Sequence, residues 1–224
     1  MKKEKIFQVY KILYKTFGPQ HWWPARTPFE VIVGAILTQS TNWKNVEKAV
    51  ASLRKYRLLR PPRILESRAG RIEHRIKSAG YYRQKTRKLK AFVNHLFTCH
   101  KGQLKRLFSQ SIPELRKELL SIHGVGPETA DSIILYAAEK PSFVVDAYTR
   151  RIGHRLGLFK YNKYDEIKAF FERKLPRSVK IYNEFHALLV ELGKRFCRKK
   201  PLCQLCPLSG FCAERVRRLR NAKR

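Results

Sequence analysis

The stretch from Leu119 to Arg151 constrains the fold of this chain most. It reads as the end of a helix, a turn His123-Gly124-Val125-Gly126, a second helix opening at Pro127, and an apolar run Phe143-Val144-Val145 that delivers Asp146. Two glycines so close together permit a tight turn and let the backbone of another molecule approach. Proline suits the first position of the second helix, where its missing N–H costs nothing. The free N–H groups of that helix then point out of the turn and are able to hold a phosphate.

The remaining pattern is helical throughout. Ile6, Tyr10, Leu13 and Phe17 recur at helical spacing, which reads as an amphipathic helix rather than a signal peptide. Thr27-Pro28-Phe29-Glu30 reads as a capping box opening a helix that is apolar on all sides as far as Leu37, hence central and buried. Further helices are expected over 43–56, in two short pieces over 62–79, and over 84–97, 112–121, 127–139, 147–156, 165–175 and 179–196. The tail after Cys212 carries Arg215, Arg217, Arg218, Arg220, Lys223 and Arg224; it is expected to begin as helix and to attract phosphate. The fold class is all-α. No apolar run is long enough to span a membrane.

Charge narrows the partner. Lys and Arg number 49 against 17 Asp and Glu, a formal charge of +32. Solubility needs far less, and the charged surfaces of heat-stable proteins mix signs. A polyanion partner is expected, nucleic acid before an anionic membrane. Reading residues 1–17 as an amphipathic helix implies an intracellular, reducing location, so disulfides are not expected. Cys99 reads as a small core residue. The other four cysteines, Cys197, Cys203, Cys206 and Cys212, fall within sixteen residues, separated by five, two and five. Four thiolates so close mean a metal site, and both zinc and a [4Fe–4S] cluster accept such a set. Arg198, Lys199 and Lys200 in its first loop would grip a DNA backbone.

Gly124-Val125-Gly126 followed by Thr129-Ala130, with Val145-Asp146 beyond, resembles the helix-hairpin-helix DNA glycosylases of the endonuclease III superfamily. The Trp22-Trp23-Pro24 run, the Leu37-Thr38-Gln39 junction followed by Trp43, and the hairpin residues 126–131 resemble the 3-methyladenine DNA glycosylase III branch. The resemblance implies a two-domain helical fold. Residues 21–136 would form a six-helix barrel carrying the hairpin (about 114–138), and 1–20 with 137–224 a second domain. Double-stranded DNA with a damaged base would lie across the cleft between them, Asp146 at its mouth, bound by a monomer in the cytoplasm among the nucleoid.

The same resemblance assigns roles. The cysteines look like the iron–sulfur loop of that family, which implies a [4Fe–4S] cluster. Asp146 matches the essential aspartate. Glu128 stands where bifunctional members carry a Schiff-base lysine, so a monofunctional enzyme is expected, releasing a base and leaving the strand whole. Gln39 and Tyr81 match residues that enter the duplex, and Gly124, Val125 and Gly126 the phosphate-binding turn. Trp22, Trp23, Pro24 and Trp43 would surround the extruded base, since a cationic alkylated purine is drawn to a ring face. Glu128 and Asp131 near Asp146 would raise its pKa by like-charge repulsion. Two rivals remain: a glycosylase for uracil, mismatched thymine or adenine, and a non-catalytic iron–sulfur protein that binds DNA structure.

Overall fold

A computed structural model describes residues 2–221, with side chains described over 4–217. Arg218 and Arg220 fall outside the described side chains, and Lys223 and Arg224 outside the described residues altogether. The described residues contain helices and no strand. In chain order they are α1 (Lys2–Phe17), α2 (Pro28–Leu37), α3 (Trp43–Lys55), α4 (Pro61–Glu66), α5 (Ala69–Arg75), α6 (Tyr82–His100), α7 (Leu104–Phe108), α8 (Ile112–Ser121), α9 (Pro127–Ser132), α10 (Ala147–Arg155), α11 (Tyr164–Lys174), α12 (Val179–Arg195) and α13 (Ala213–Asn221). None is long and apolar enough to cross a membrane. The chain divides into a continuous unit, Trp23–Lys140, and a discontinuous one, Met1–Trp22 with Pro141–Arg224.

The continuous unit is built around α2, buried from Phe29 to Leu37 as its all-apolar sequence requires. Helices α3 and α6 pack on it. Half of the expected capping box forms. Thr27 Oγ1 accepts the N–H of Glu30, but the Glu30 carboxylate turns to Arg54 of α3 instead of returning to the cap. At 4% exposure Glu30 would be a costly lone charge, and Arg54 neutralises it. A complete box opens α8 instead, with Ser111 and Glu114 bonding reciprocally. The far end of α2 is closed by Lys85, 2% exposed, whose Nζ donates to Leu37 O at 2.9 Å and Ala79 O at 2.8 Å. Burial, with Lys88 adding repulsion, pulls its pKa down to about 8.

The clearest departures from expectation concern α6, the helix after the hairpin and α7. Helix α6 begins at Tyr82, because Tyr81 adopts a left-handed conformation (φ 44°, ψ 34°) and serves as its N-cap. The helix after the hairpin widens into a π-turn over Ile133–Ala137 and stops there. The short α7 has too few apolar repeats to stand out in sequence.

In the discontinuous unit α1 packs on α12 and α11, and α10 on α12 and α13. Its core is aromatic. Phe143 stacks on Phe171 at 4.3 Å and meets Tyr182 and Phe185 edge-on. These contacts hold the extended segment that precedes Asp146.

Candidate functional site

Asp146 sits where a buried segment meets a helix. Phe143, Val144 and Val145 are all at most 1% exposed. Their backbone is fixed by Phe143 N–H donating to Glu172 and Val145 N–H to the Tyr164 hydroxyl. The next residue is the N-cap of α10, its Oδ1 accepting the Thr149 N–H at 2.7 Å. Its Oδ2 faces His186 Nε2 of α12 at 3.7 Å, with side-chain exposures of 14% and 5%. Burial alone would push this carboxyl up. His186 and the Thr149 N–H outweigh it and hold the pKa below the ordinary aspartate value. The expected upward shift is therefore corrected, and His186 is the reason.

Asp131, expected to contribute that repulsion, is fully buried and held by Arg116 through three contacts of 3.0 to 3.3 Å. Glu128 is exposed in the first turn of α9, so the two acids of that helix occupy different surroundings. Sequence reasoning missed His186. It lies in the middle of an amphipathic helix, where a histidine reads as ordinary core.

The hairpin is built within the continuous unit. Gly124 takes φ +83°, and a Cβ there would also meet Lys88 Cγ at 2.2 Å, so glycine is required twice over. Gly126 has an ordinary extended backbone, and a Cβ on it would meet nothing within 4 Å. As N-cap it offers α9 no side-chain acceptor. Gln39 reaches the hairpin: its Nε2 donates to Gly124 O and Thr129 Oγ1, each at 3.0 Å, and its Oε1 accepts from Lys88 Nζ. The α2–α3 junction is thus tied to the turn, with Val125 buried beneath. Tyr81 is 66% exposed on left-handed backbone, a conformation bulky residues rarely adopt.

The tryptophans part company. Trp23 and Trp43 meet edge to face at 5.2 Å, and Trp23 lies 5.1 Å from Tyr136 of the π-turn. With Pro24, Gly34, Glu47 and Arg54 they line a cavity of about 280 Å³. Trp22 belongs to the other unit, where it stacks on His186 at 5.6 Å beneath the Lys194 ammonium. A larger cavity, about 610 Å³, is lined by Arg26, Arg54, Arg57, Arg60, Arg63 and Arg71, and by none of the candidate catalytic, base-pocket or thiol residues.

The four thiols lie on one short loop and are all half-buried. Burial pushes the Cys206 thiol up, and Cys197, Cys212 and Cys203 all add to the shift. Helix α10, the one Asp146 caps, holds their loop. Arg151 Nε donates to Cys197 O at 2.8 Å. Arg155 reaches Cys197 Sγ at 3.3 Å and the carbonyls of Arg198 and Lys199 at 2.7 and 3.2 Å. The Cys212 thiol donates back to Arg155 O. Arg198, Lys199 and Lys200 are left exposed. Four half-buried soft donors on one loop, whose carbonyls Arg151 and Arg155 bind, have the chemistry of a thiolate-ligated metal group. Cys99 is exposed, not core, because it lies on the outer face of the last turn of α6.

Known proteins resemble this chain in sequence and in fold. The pattern described as "HhH-GPD superfamily base excision DNA repair protein" matches residues 33–177. A Methanocaldococcus jannaschii protein named "Putative DNA repair glycosylase MJ1434" is 49% identical over 214 residues, 94% of this chain and 97% of that one. An endonuclease III solved in a non-covalent complex with DNA is 25% identical, with a TM-score of 0.84 over 98% of this chain and 99% of that one. The Helicobacter pylori 3-methyladenine DNA glycosylase, solved with 1,N6-ethenoadenine, is 25% identical, with a TM-score of 0.77 over 87% and 98%. The chain belongs to the HhH-GPD superfamily of base excision DNA repair proteins and is a DNA N-glycosylase with the endonuclease III-like helical fold.

Proposed function

We propose that the enzyme is monofunctional, hydrolysing the N-glycosidic bond of alkylated purines such as 3-methyladenine and leaving an abasic site in an intact strand. The observation that carries this is the state of Asp146: ionised, seated at a helix N-terminus and braced by His186. As the bond between C1′ and the base nitrogen breaks, its electron pair leaves with the base and positive charge grows on the sugar. The Asp146 carboxylate stabilises that charge, and a water adds to C1′, passing its proton to the carboxylate or to solvent. Glu128 supports the monofunctional reading. A carboxylate in the first turn of α9 has no amine with which to attack the sugar.

The other roles follow. The hairpin Gly124-Val125-Gly126 grips a phosphate, its Gly126 cap leaving the α9 amides to an outside anion. Tyr81 enters the duplex, its exposure and left-handed backbone being the kind of strain found at functional sites. Gln39 enters the gap left by the extruded base, its bonds to Gly124, Thr129 and Lys88 tying it to the turn. Trp23, Pro24 and Trp43 receive the base. Cys197, Cys203, Cys206 and Cys212 hold a [4Fe–4S] cluster, which when bound would cross-link their loop and present Arg198, Lys199 and Lys200 to the DNA backbone. The enzyme acts as a monomer on cytoplasmic, nucleoid-associated DNA.

A second reading is favoured by His186. A cationic alkylpurine leaves without help, whereas a neutral uracil or thymine needs a proton or donor as it departs, and an imidazole beside the acid is a candidate donor. Duplexes carrying 3-methyladenine, 7-methylguanine, uracil or a mismatched thymine separate the two. Release of the methylated purines alone supports the first; release of pyrimidines alone overturns it in favour of the second. Release of nothing, with duplex binding intact, would leave only a DNA-structure binder.

A further inference from the structure

The continuous unit carries a ligand set that the chemistry above does not use. His95 and His100 project from the last turns of α6, and Glu118 from the following α8. Their three donor atoms lie within 4.8 Å of one another. Both rings address the same carboxylate oxygen: His95 Nε2 is 2.6 Å and His100 Nε2 2.5 Å from Glu118 Oε1. Their side-chain exposures are 23%, 13% and 19%, so the group is shielded yet reachable from solvent.

We infer that His95, His100 and Glu118 form a divalent-cation site of the zinc class, separate from the cysteine loop. Two imidazole nitrogens and one carboxylate oxygen suit a borderline ion, with water completing the shell. The surroundings supply the orienting contacts such ligands need. Gln110 Nε2 donates to Glu118 Oε2 at 2.5 Å and fixes the carboxylate. Cys99 Sγ lies 3.9 Å from His95 Nδ1 and can accept a hydrogen bond from Nδ1–H once Nε2 binds the ion. On binding, each ring presents an unprotonated Nε2, so any proton held there moves to Nδ1 or to solvent.

The site has a structural consequence within its unit. Helix α8 leads into the hairpin, and α6 carries Lys88 against Gly124. An ion joining the end of α6 to α8 braces both sides of the turn that the proposed function gives to DNA. The metal inference stands on its own donors and does not need that reading to hold.

The test is zinc loading of the full chain, isolated anaerobically with its metal group in place. The protein is equilibrated with zinc chloride and desalted; zinc per chain is then measured, and its X-ray absorption edge reports the donors. One zinc per chain on nitrogen and oxygen is expected. His95→Ala and His100→Ala should each weaken uptake by roughly a hundredfold or more with helical content unchanged. Glu118→Gln, which keeps size and hydrogen bonding, guards against loss by misfolding and should behave alike. Zinc found only on sulfur, equal uptake by the variants, or none retained would overturn the site and leave an ion-paired cluster.

Discussion

Two acids of one stretch, Glu128 and Asp146, end in opposite surroundings. Both stand at the start of a helix, where a negative charge is favoured. Glu128 is exposed on a six-residue helix. Asp146 follows a fully buried aromatic-anchored segment and faces an imidazole that is itself buried. Helix position alone therefore does not set a carboxylate's surroundings. The difference lies in how much protein fixes the group and which side chain stands beside it. The same helix that Asp146 caps also pins the cysteine loop through Arg151 and Arg155, so acid and loop share one support.

The contrast is open to attack by substitution. The largest effect is expected from Asp146→Asn. Asparagine keeps the helix cap but not the charge, so base release in single turnover should fall by about a thousandfold while the fold persists. Arg155→Ala removes contacts to a sulfur and two carbonyls at once; urea unfolding should show a loss of about 2 kcal/mol, and the loop thiols should react faster with a thiol reagent. Gly124→Ala forces a side chain onto left-handed backbone and into Lys88. About 1–3 kcal/mol of stability should go, with weaker duplex binding in a gel-shift assay.

The pH dependence of Asp146 gives a smaller and signed effect. Its folded pKa lies below the ordinary value of 3.8, so the unfolded chain binds the proton more tightly. Its contribution is thus present above that value and is lost as pH falls through the folded pKa. Wild type should exceed Asp146→Asn by about 1 kcal/mol near pH 6, and the gap should close in strong acid. At the other acid, Glu128→Gln should change stability by less than about 0.5 kcal/mol and leave base release nearly intact. Equal losses at Glu128 and Asp146 would erase the distinction between them.

Much of this was legible in the sequence because it is local. The hairpin, its proline, the buried α2 and the four thiols announce themselves within a few residues of one another. Asp146 was readable as an acid in an apolar frame. What escaped is what the fold brings together from afar. His186 meets Asp146 across forty positions, and Arg155 reaches back to the cysteine loop from another helix. Glu30 left its expected cap because a buried charge prefers a guanidinium to a backbone N–H. Neighbouring Trp22 and Trp23 make different contacts, the first with His186 and the second with Trp43 and Tyr136. Such pairings depend on tertiary packing and leave no short-range signature.

One measurement bears most directly on the central claim that a carboxylate, unaided by an amine, severs base from sugar. Duplexes carrying each lesion are incubated with the protein, and strands are resolved with and without alkali, in the presence and absence of borohydride. Free base, strands that break only after alkali, no trapped adduct, and silence from Asp146→Asn are expected. Strand cutting without alkali, or a borohydride-trapped complex with the wild type, would contradict it.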